Sequence, residues 1–200
     1  MFDQIFQAAS KTSVIEWLAF FTSILYVVLA AVRSIWCWLF GLISSATYVF
    51  ICFSNGFFID TGLQVFYIFM SVYGWINWKK NQSNRVHVVW WGYRKHLYLL
   101  VLGIIVTYLL GYTFENFTAQ NSSYLDAAIT IFSLIATFMT AHRIIENWIY
   151  WIVVDFAAIF LFAYQELYLT AFLYIIYSLM AIYGLIAWTK QYHQQKKSSC

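Results

Sequence analysis

Two tryptophans and an aspartate are spaced along one apolar segment in a pattern that suits recognition of a flat, cationic ring. Trp148, Trp151 and Asp155 occupy positions i, i+3 and i+7, which share one helical face and span about 11 Å. The indoles can stack on a ring and attract its positive charge, and the carboxylate complements that charge. The alternative is that both tryptophans lie at a membrane interface while Asp155 bonds to a neighbouring helix.

A second polar pair lies on an earlier apolar segment. Gln64 offers a donor and an acceptor, which could bind an amide or aminopyrimidine edge or bond to a neighbouring helix. Tyr67 follows one turn later on the same face. The predicted substrate site therefore contains Trp148, Trp151, Asp155, Gln64 and Tyr67.

The sequence contains no recognisable catalytic motif. It has no His-Glu-x-x-His pattern and no glycine-rich phosphate loop. Its three cysteines, Cys37, Cys52 and Cys200, lack the spacing of metal ligands. We therefore expect no metal, no cofactor and no enzymatic activity, and the chain has no nucleotide-binding loop through which to use ATP.

The composition places these residues in a membrane. Of 200 residues, 63% are hydrophobic and only 10% are charged, whereas soluble domains carry about 25% charged residues. The net charge of +3 comes with basic residues in short loops, so no nucleic-acid partner is expected. A membrane-crossing helix needs about 20 apolar residues, which predicts seven spans near 14–32, 34–53, 61–78, 97–113, 124–141, 146–164 and 168–188.

The basic residues predict the orientation of these spans. Ten of them fall on one side of the predicted membrane, and only Lys11 falls on the other. Because Lys and Arg concentrate in cytoplasmic loops, the amino terminus should lie outside and the carboxyl terminus inside. The ten are Arg33, Lys79, Lys80, Arg85, Arg94, Lys95, Arg143, Lys190, Lys196 and Lys197.

An internal repeat indicates how the spans are organised. Tyr73-Gly74 followed by Trp78 matches, at an offset of 110 residues, Tyr183-Gly184 followed by Trp188. Arg33 and Trp38 match Arg143 and Trp148 at the same offset. The sequence predicts one membrane domain over 1–200 in a 3+1+3 arrangement: two parallel three-helix repeats, about 14–78 and about 124–188, joined by a linker helix at about 97–113. Repeats of this kind typify transporters that bind substrate between the copies.

The motifs then resemble those of the PnuC family of vitamin transporters over nearly the whole chain. Trp148-x-x-Trp151-x-x-x-Asp155 resembles that family's WxxWxxx(N/D) signature. Further resemblances are Glu16-Trp17, Trp38, Gly41, Tyr73-Gly74-Trp75-x-x-Trp78, Leu167-Tyr168-Leu169-Thr170 and Tyr183-Gly184-x-x-x-Trp188.

The resemblance implies facilitated diffusion of an unphosphorylated vitamin that a cytoplasmic kinase then traps. It also implies that Trp148, Trp151 and Asp155, with Gln64, bind the substrate. Thiamine is preferred over nicotinamide riboside here, because an ionised Asp155 only accepts hydrogen bonds and suits an aminopyrimidine donor or a thiazolium cation. Rival interpretations are a neutral-sugar facilitator, a non-transporting membrane receptor and an intramembrane enzyme.

The remaining expectations concern location and partners. The chain should be a multi-pass protein of a bacterial inner membrane, in contact with lipid. Its partners should be the vitamin and, functionally, the kinase. The sequence leaves open whether copies of the chain form a homo-oligomer.

Overall fold

The computed structural model describes residues 12–54, 58–80, 88–117 and 123–198. These residues form seven α-helices, and within this part of the chain the only β-type pairing is an isolated bridge between Val89 and Ile144. The all-α prediction is therefore confirmed. The helices are α1 Val14–Ala31, α2 Cys37–Ser54, α3 Phe58–Lys80, α4 Tyr93–Phe117, α5 Ser123–Ala141, α6 Asn147–Tyr164 and α7 Tyr168–Ser198.

Each helix corresponds to one predicted span, and two are clearly longer than predicted. Helix α4 exceeds the predicted 97–113 at both ends, and α7 continues for ten residues beyond position 188. The extension of α7 is polar, with glutamines and lysines that favour helix, so it forms helix without being apolar. Hydrophobicity therefore predicted where the apolar span ends, but not how far the helix continues beyond it.

Six of the seven helices are long and apolar enough to cross a membrane. Helix α3 has the length, at 23 residues, but falls outside this set because it carries Asp60, Gln64, Asn77, Lys79 and Lys80. Of the seven predicted spans, six are therefore apolar enough by length and composition, and the seventh, α3, is a more polar helix. Lys11 and Arg85, which entered the orientation argument, lie outside the described residues.

The first helix begins at a capping box. The Ser13 hydroxyl accepts a hydrogen bond from the Glu16 backbone N–H at 3.2 Å, and the Glu16 carboxylate accepts one from the Ser13 N–H at 2.6 Å. This reciprocal pair satisfies two otherwise unpaired donors at the helix start. Trp17, on the first turn of α1, is thereby held in place.

Neighbouring helices pack together within α1–α3 and within α5–α7. Helices α1–α3, here called the first segment, are neighbours, as are α5–α7, the second segment. Between the segments, α1 packs against α7 and α3 packs against α5, while α4 packs against α5. Because α1 corresponds to α5 and α3 to α7 in the repeat, the two contacts between the segments are equivalent.

The turns after α1 and α5 have the same unusual backbone. Arg33 and Arg143 adopt positive φ angles of 61° and 56°, a conformation that side chains other than glycine seldom adopt. The next residues close both turns in the same way: Ser34 N–H donates to Leu29 O, and Ile144 N–H donates to Met139 O. All three pairs of residues differ by 110 in number.

Two glycines allow two tryptophan rings to pack closely at equivalent positions of the two segments. A Cβ atom on Gly74 would lie 2.4 Å from the Trp38 ring, and one on Gly184 would lie 2.6 Å from the Trp148 ring. Only glycine permits such close approach. The pairs fix α3 against α2 in the first segment and α7 against α6 in the second.

Candidate functional site

The centre of the candidate site is a carboxylate without a cation. Asp155 lies midway along α6, is 1% exposed, and its Oδ1 atom has no hydrogen-bond partner. The ion pair found among the described residues, His96 with Glu146, does not involve it. A buried carboxylate in a membrane helix is costly unless something pairs with it, so Asp155 is suited to a cationic or hydrogen-bond-donating ligand.

Three tyrosines from two helices lie near this carboxylate. Tyr67 of α3 and Tyr174 and Tyr177 of α7 lie close enough to Asp155 for charges on them to interact. The Tyr174 and Tyr177 rings meet edge to face with centroids 5.5 Å apart. All three side chains keep some accessible surface. They therefore provide ring faces and hydroxyls beside the unpaired carboxylate.

Small hydroxyl residues on the first helix of each segment hold two of these tyrosines. The Tyr67 hydroxyl lies in hydrogen-bonding range of Ser133 and Thr137 on α5. In the equivalent contact, the Tyr177 hydroxyl reaches Ser23 on α1. Tyr67 and Tyr177, like Ser23 and Ser133, differ by 110 in number. The repeat therefore extends into the site.

Trp151 faces the same region from α6. It is half-buried, and its indole N–H donates to the Thr140 hydroxyl oxygen at 3.4 Å. Thr140 in turn donates to the Ala136 carbonyl at 2.9 Å. Helix α5 therefore sets the orientation of the Trp151 ring, one turn of helix from Asp155.

Trp148 has a different environment from the other predicted residues. Its ring is 2% exposed and packs edge to face on Trp188, with centroids 5.4 Å apart. Gly184 supports its other edge. Gln64 and Tyr67 are partly exposed on α3. The structure thus brings Tyr67 close to Asp155, places Trp151 one turn away, and keeps Trp148 in close packing.

A polar cavity of about 220 Å³ opens between α1, α2 and α7, at the end of the bundle opposite the basic turns. Its wall includes Tyr48, which is near enough to Tyr174 and Tyr177 for charges on these side chains to interact. The residues that line it are Thr12, Glu16, Trp17, Phe20, Tyr48, Ile51, Leu169, Thr170 and Leu173. An acidic and aromatic cavity of this kind is suited to a cationic solute.

Three site residues were not predicted from the sequence. Tyr48, Tyr174 and Tyr177 stand among 16 tyrosines, and composition does not single them out. The repeat contains a signal for two of them: Tyr177 is equivalent to Tyr67, and Tyr174 is equivalent to Gln64.

Within the described part of the chain, no group of His, Cys, Asp or Glu side chains could hold a metal ion.

Seven packed helices around an interior carboxylate and aromatic rings define a polytopic membrane protein with a small-molecule site. A family model described as "Nicotinamide mononucleotide transporter" matches residues 13–190. The chain belongs to this family, which confirms the resemblance to PnuC proteins drawn from the motifs.

Several relatives illustrate the range of the family. The chain is 29% identical to the nicotinamide riboside transporter PnuC of Haemophilus influenzae over 88% of this chain and 80% of that protein. It is 23% identical to the protein of the same name from Escherichia coli over 87% and 84%. The riboflavin/roseoflavin transporter RibM of Streptomyces davaonensis is 22% identical over 78% and 75%. These relatives are transporters and not enzymes.

A solved structure shares the fold. The crystal structure of the vitamin B3 transporter PnuC superposes with a TM-score of 0.73 at 24% sequence identity, covering 88% of this chain and 81% of that one. Together with the family match, this identifies the chain as a multi-pass membrane protein of the PnuC type. The expectation of a vitamin transporter holds at the level of the family.

Proposed function

We propose that this protein is a facilitator that takes up nicotinamide riboside. The observation that carries the proposal is the buried Asp155 carboxylate, which has an unpaired oxygen and lies beside Tyr67, Tyr174 and Tyr177. A positively charged pyridinium ring would supply both the missing charge and a surface for the aromatic side chains. Its ribose hydroxyls would supply further hydrogen-bond donors.

The thiamine preference drawn from the sequence is not supported. Two relatives that cover most of the chain are named for nicotinamide riboside, and a third is named for riboflavin. The argument for thiamine depended on one residue, Asp155, accepting hydrogen bonds only. A carboxylate accepts equally well from a carboxamide NH₂ or a sugar hydroxyl and balances a pyridinium charge, so it does not separate the two vitamins.

In the proposed complex the ring stacks on Trp151, and Asp155 lies beside its positive charge. Gln64 matches the carboxamide, because both groups carry a donor and an acceptor. Tyr67 contacts the ligand from α3. Trp148 forms the floor of the same site. It lies one helical turn from Trp151, and its packed ring limits how deeply a ligand can enter.

We propose that transport occurs by alternating movement of the two three-helix segments, with α4 as the linker of a 3+1+3 arrangement. The equivalent turns at Arg33 and Arg143 and the equivalent contacts between the segments support this proposal. Parallel repeats of this type rock about a site at their interface. No coupling ion is part of the mechanism, so uptake is driven by the vitamin gradient and sustained when a cytoplasmic kinase phosphorylates the product.

The proposed location is the inner membrane of a bacterium, with the amino terminus outside and the carboxyl terminus in the cytoplasm. The distribution of Lys and Arg supports this orientation. Arg33 and Arg143 lie at one end of the bundle, and the last turns of α3 and α7 bring lysines to that end. The cavity beside Glu16 then faces the outside.

Flux into liposomes tests this proposal. Purified protein reconstituted without any kinase should equilibrate radiolabelled nicotinamide riboside across the membrane but not accumulate it. Unlabelled nicotinamide riboside should compete more strongly than thiamine or riboflavin. Accumulation against the gradient would refute the uniport mechanism, and stronger competition by thiamine would refute the substrate.

A further inference from the structure

Four tryptophans form one buried cluster between the segments, at the end of the bundle that carries Arg33 and Arg143. Each of Trp38, Trp78, Trp188 and Trp148 is at most 2% exposed. Trp38 meets Trp78 edge to face at 5.5 Å, and Trp148 meets Trp188 edge to face at 5.4 Å. Trp78 and Trp188 then meet each other at 6.2 Å across the two segments. These residues are called the tryptophan cluster below.

The two inner members also make reciprocal hydrogen bonds across the segments. The Trp78 indole N–H donates to the carbonyl of Ala141 at 3.1 Å, and the Trp188 indole N–H donates to that of Ala31 at 3.1 Å. Ala31 and Ala141 are the last residues of α1 and α5, where helix carbonyls lack partners within the helix. Each segment therefore donates a hydrogen bond to a carbonyl at a helix end of the other segment.

The arginines of the two turns strengthen the same junction. Arg143 donates from Nη2 to the carbonyl of Trp78 at 3.0 Å, and its guanidinium lies 4.9 Å from the centre of the Trp78 ring. Arg33 donates from Nη1 to the carbonyl of Ala187 at 3.3 Å. Each arginine reaches from one segment to the third helix of the other. The positive φ angles of both residues position them for this contact.

The tryptophan cluster lies between the candidate site and one face of the membrane. Trp148 precedes Asp155 by seven residues on α6, which is about 11 Å along the helix. At the opposite end of the bundle lies the cavity lined by Glu16 and Tyr48. A solute that leaves the site toward the basic end has to pass between the segments where the cluster is packed.

We propose that Trp78 and Trp188 form the gate that closes the basic end of the protein, and that their two crossed hydrogen bonds hold it shut in this structure. The inference rests on the transport proposed above and names the residues that close one face of that pathway. Both bonds join one segment to the other, so movement of the segments breaks them together. Opening at this end therefore requires the two indoles to separate.

The outer tryptophans of the cluster differ from the inner pair. The indole nitrogens of Trp38 and Trp148 have no hydrogen-bond partner, and each ring packs against a glycine of its own segment. They add packing to the cluster but no hydrogen bond between the segments. Trp148→Phe is therefore a matched control, because it removes a similar volume without removing such a bond.

A native cysteine reports whether the gate is open. Cys37 is 0% exposed and lies close to Arg143, at the junction between the segments. In a Cys52→Ser/Cys200→Ser background it is the one remaining thiol. Its rate of reaction with N-ethylmaleimide measures how often the junction opens.

The test compares this rate in the background protein and in three variants, without any substrate. Trp78→Phe/Trp188→Phe should react about tenfold faster or more, because both indole hydrogen bonds between the segments are lost. Arg33→Lys, which loses the planar donor but keeps the charge, should give a smaller increase. Trp148→Phe should change the rate by less than about twofold.

Equal rates in the double variant and the background, or an equal increase in Trp148→Phe, would overturn the gate. If the double variant fails to give a monodisperse peak on size exclusion, the single Trp78→Phe and Trp188→Phe variants decide by the same comparison. The readout needs no vitamin, so failure of the gate leaves the liposome flux unaffected. Conversely, a protein that transports no nicotinamide riboside can still show the predicted order of labelling.

Discussion

The two three-helix segments match where they meet at the basic end and differ in the middle of the bundle. Arg33 and Arg143 form the same turn, and the crossed bonds of Trp78 and Trp188 repeat each other. Near the candidate site, however, Asp155 corresponds to Ser45. The symmetric parts form the junction between the segments, and the asymmetric parts give the site its charge.

A second difference concerns which helix fills the space beside the site. In the first segment a large Tyr26 on α1 faces Gly41 on α2, where an added Cβ would lie 2.9 Å from the Tyr26 ring. In the second segment the equivalent positions hold Ala136 on α5 and Trp151 on α6. The large aromatic side chain is therefore on the first helix of one segment and on the second helix of the other, which places a tryptophan on the same helix as Asp155.

The largest expected effect comes from removing the charge that distinguishes the two central positions. Asp155→Ala should weaken binding of nicotinamide riboside by about 100-fold, because a charge-assisted contact worth about 2–3 kcal/mol is lost. Ser45→Ala, at the equivalent position of the first segment, should change binding by less than about threefold. Quenching of tryptophan fluorescence during a titration measures both. Similar losses in the two variants would show that the asymmetry does not define the site.

The glycine positions test the opposite half of the comparison, where the segments match. Gly74→Ala and Gly184→Ala should each lower the free energy of unfolding by about 1–3 kcal/mol, because the new Cβ overlaps a buried tryptophan ring. Gly62→Ala is the control, since nothing lies within 4 Å of its added Cβ. Thermal unfolding in detergent measures all three. Destabilisation in only one segment would contradict the equivalence of the two pairs.

Trp151→Ala should reduce affinity by about tenfold, because loss of a stacked ring and its attraction for a cation costs about 1–2 kcal/mol. Trp151→Phe should retain most of the affinity. Trp36→Ala provides a control on the other segment, since Trp36 is 55% exposed and packs on Trp75. If Trp36→Ala weakened binding as much as Trp151→Ala, the site would have to extend well beyond Asp155.

The sequence contained more information about the frame than about the site. Hydrophobic runs located all seven helices, because a membrane requires long apolar stretches, and the repeat at 110 residues marked both arginine turns in advance. The polar residues of α3 are visible in the sequence, and hydropathy sets this helix apart from the other six, but hydrophobicity could not show that α7 continues past its lysines.

The site was predicted less completely because it depends on contacts between distant helices. Asp155 stood out alone, as any carboxylate inside an apolar segment does. Trp148 and Trp151 share a helical face, but Gly184 allows Trp148 to be enclosed while Trp151 stays half-exposed. The tyrosines on α7 lie near Asp155 only once α6 and α7 have packed together, so no local pattern marks them.

The smallest expected effect concerns a histidine that is present in only one of the two turns. His142, in the second turn, corresponds to Val32 in the first. The Nε2 atom of His142 lies 3.0 Å from the Tyr73 hydroxyl. Burial lowers the pKa of His142. The folded protein therefore disfavours the proton that the unfolded chain binds below about pH 6.5. The contribution of His142 to stability is fully present above that pH and is lost as the pH falls toward the lowered pKa.

The variant His142→Val makes the two turns alike and removes this titration. At about pH 8 the wild-type protein should unfold at the higher temperature, because it keeps the bond to Tyr73. At about pH 5.5 the gap between the two proteins should shrink by roughly 1 °C or more, since only the wild-type protein gains an unfolded-state proton. Thermal unfolding in detergent at both pH values measures the change. A gap that widens in acid would mean that the folded protein stabilises the protonated imidazole, with Tyr73 accepting its hydrogen bond.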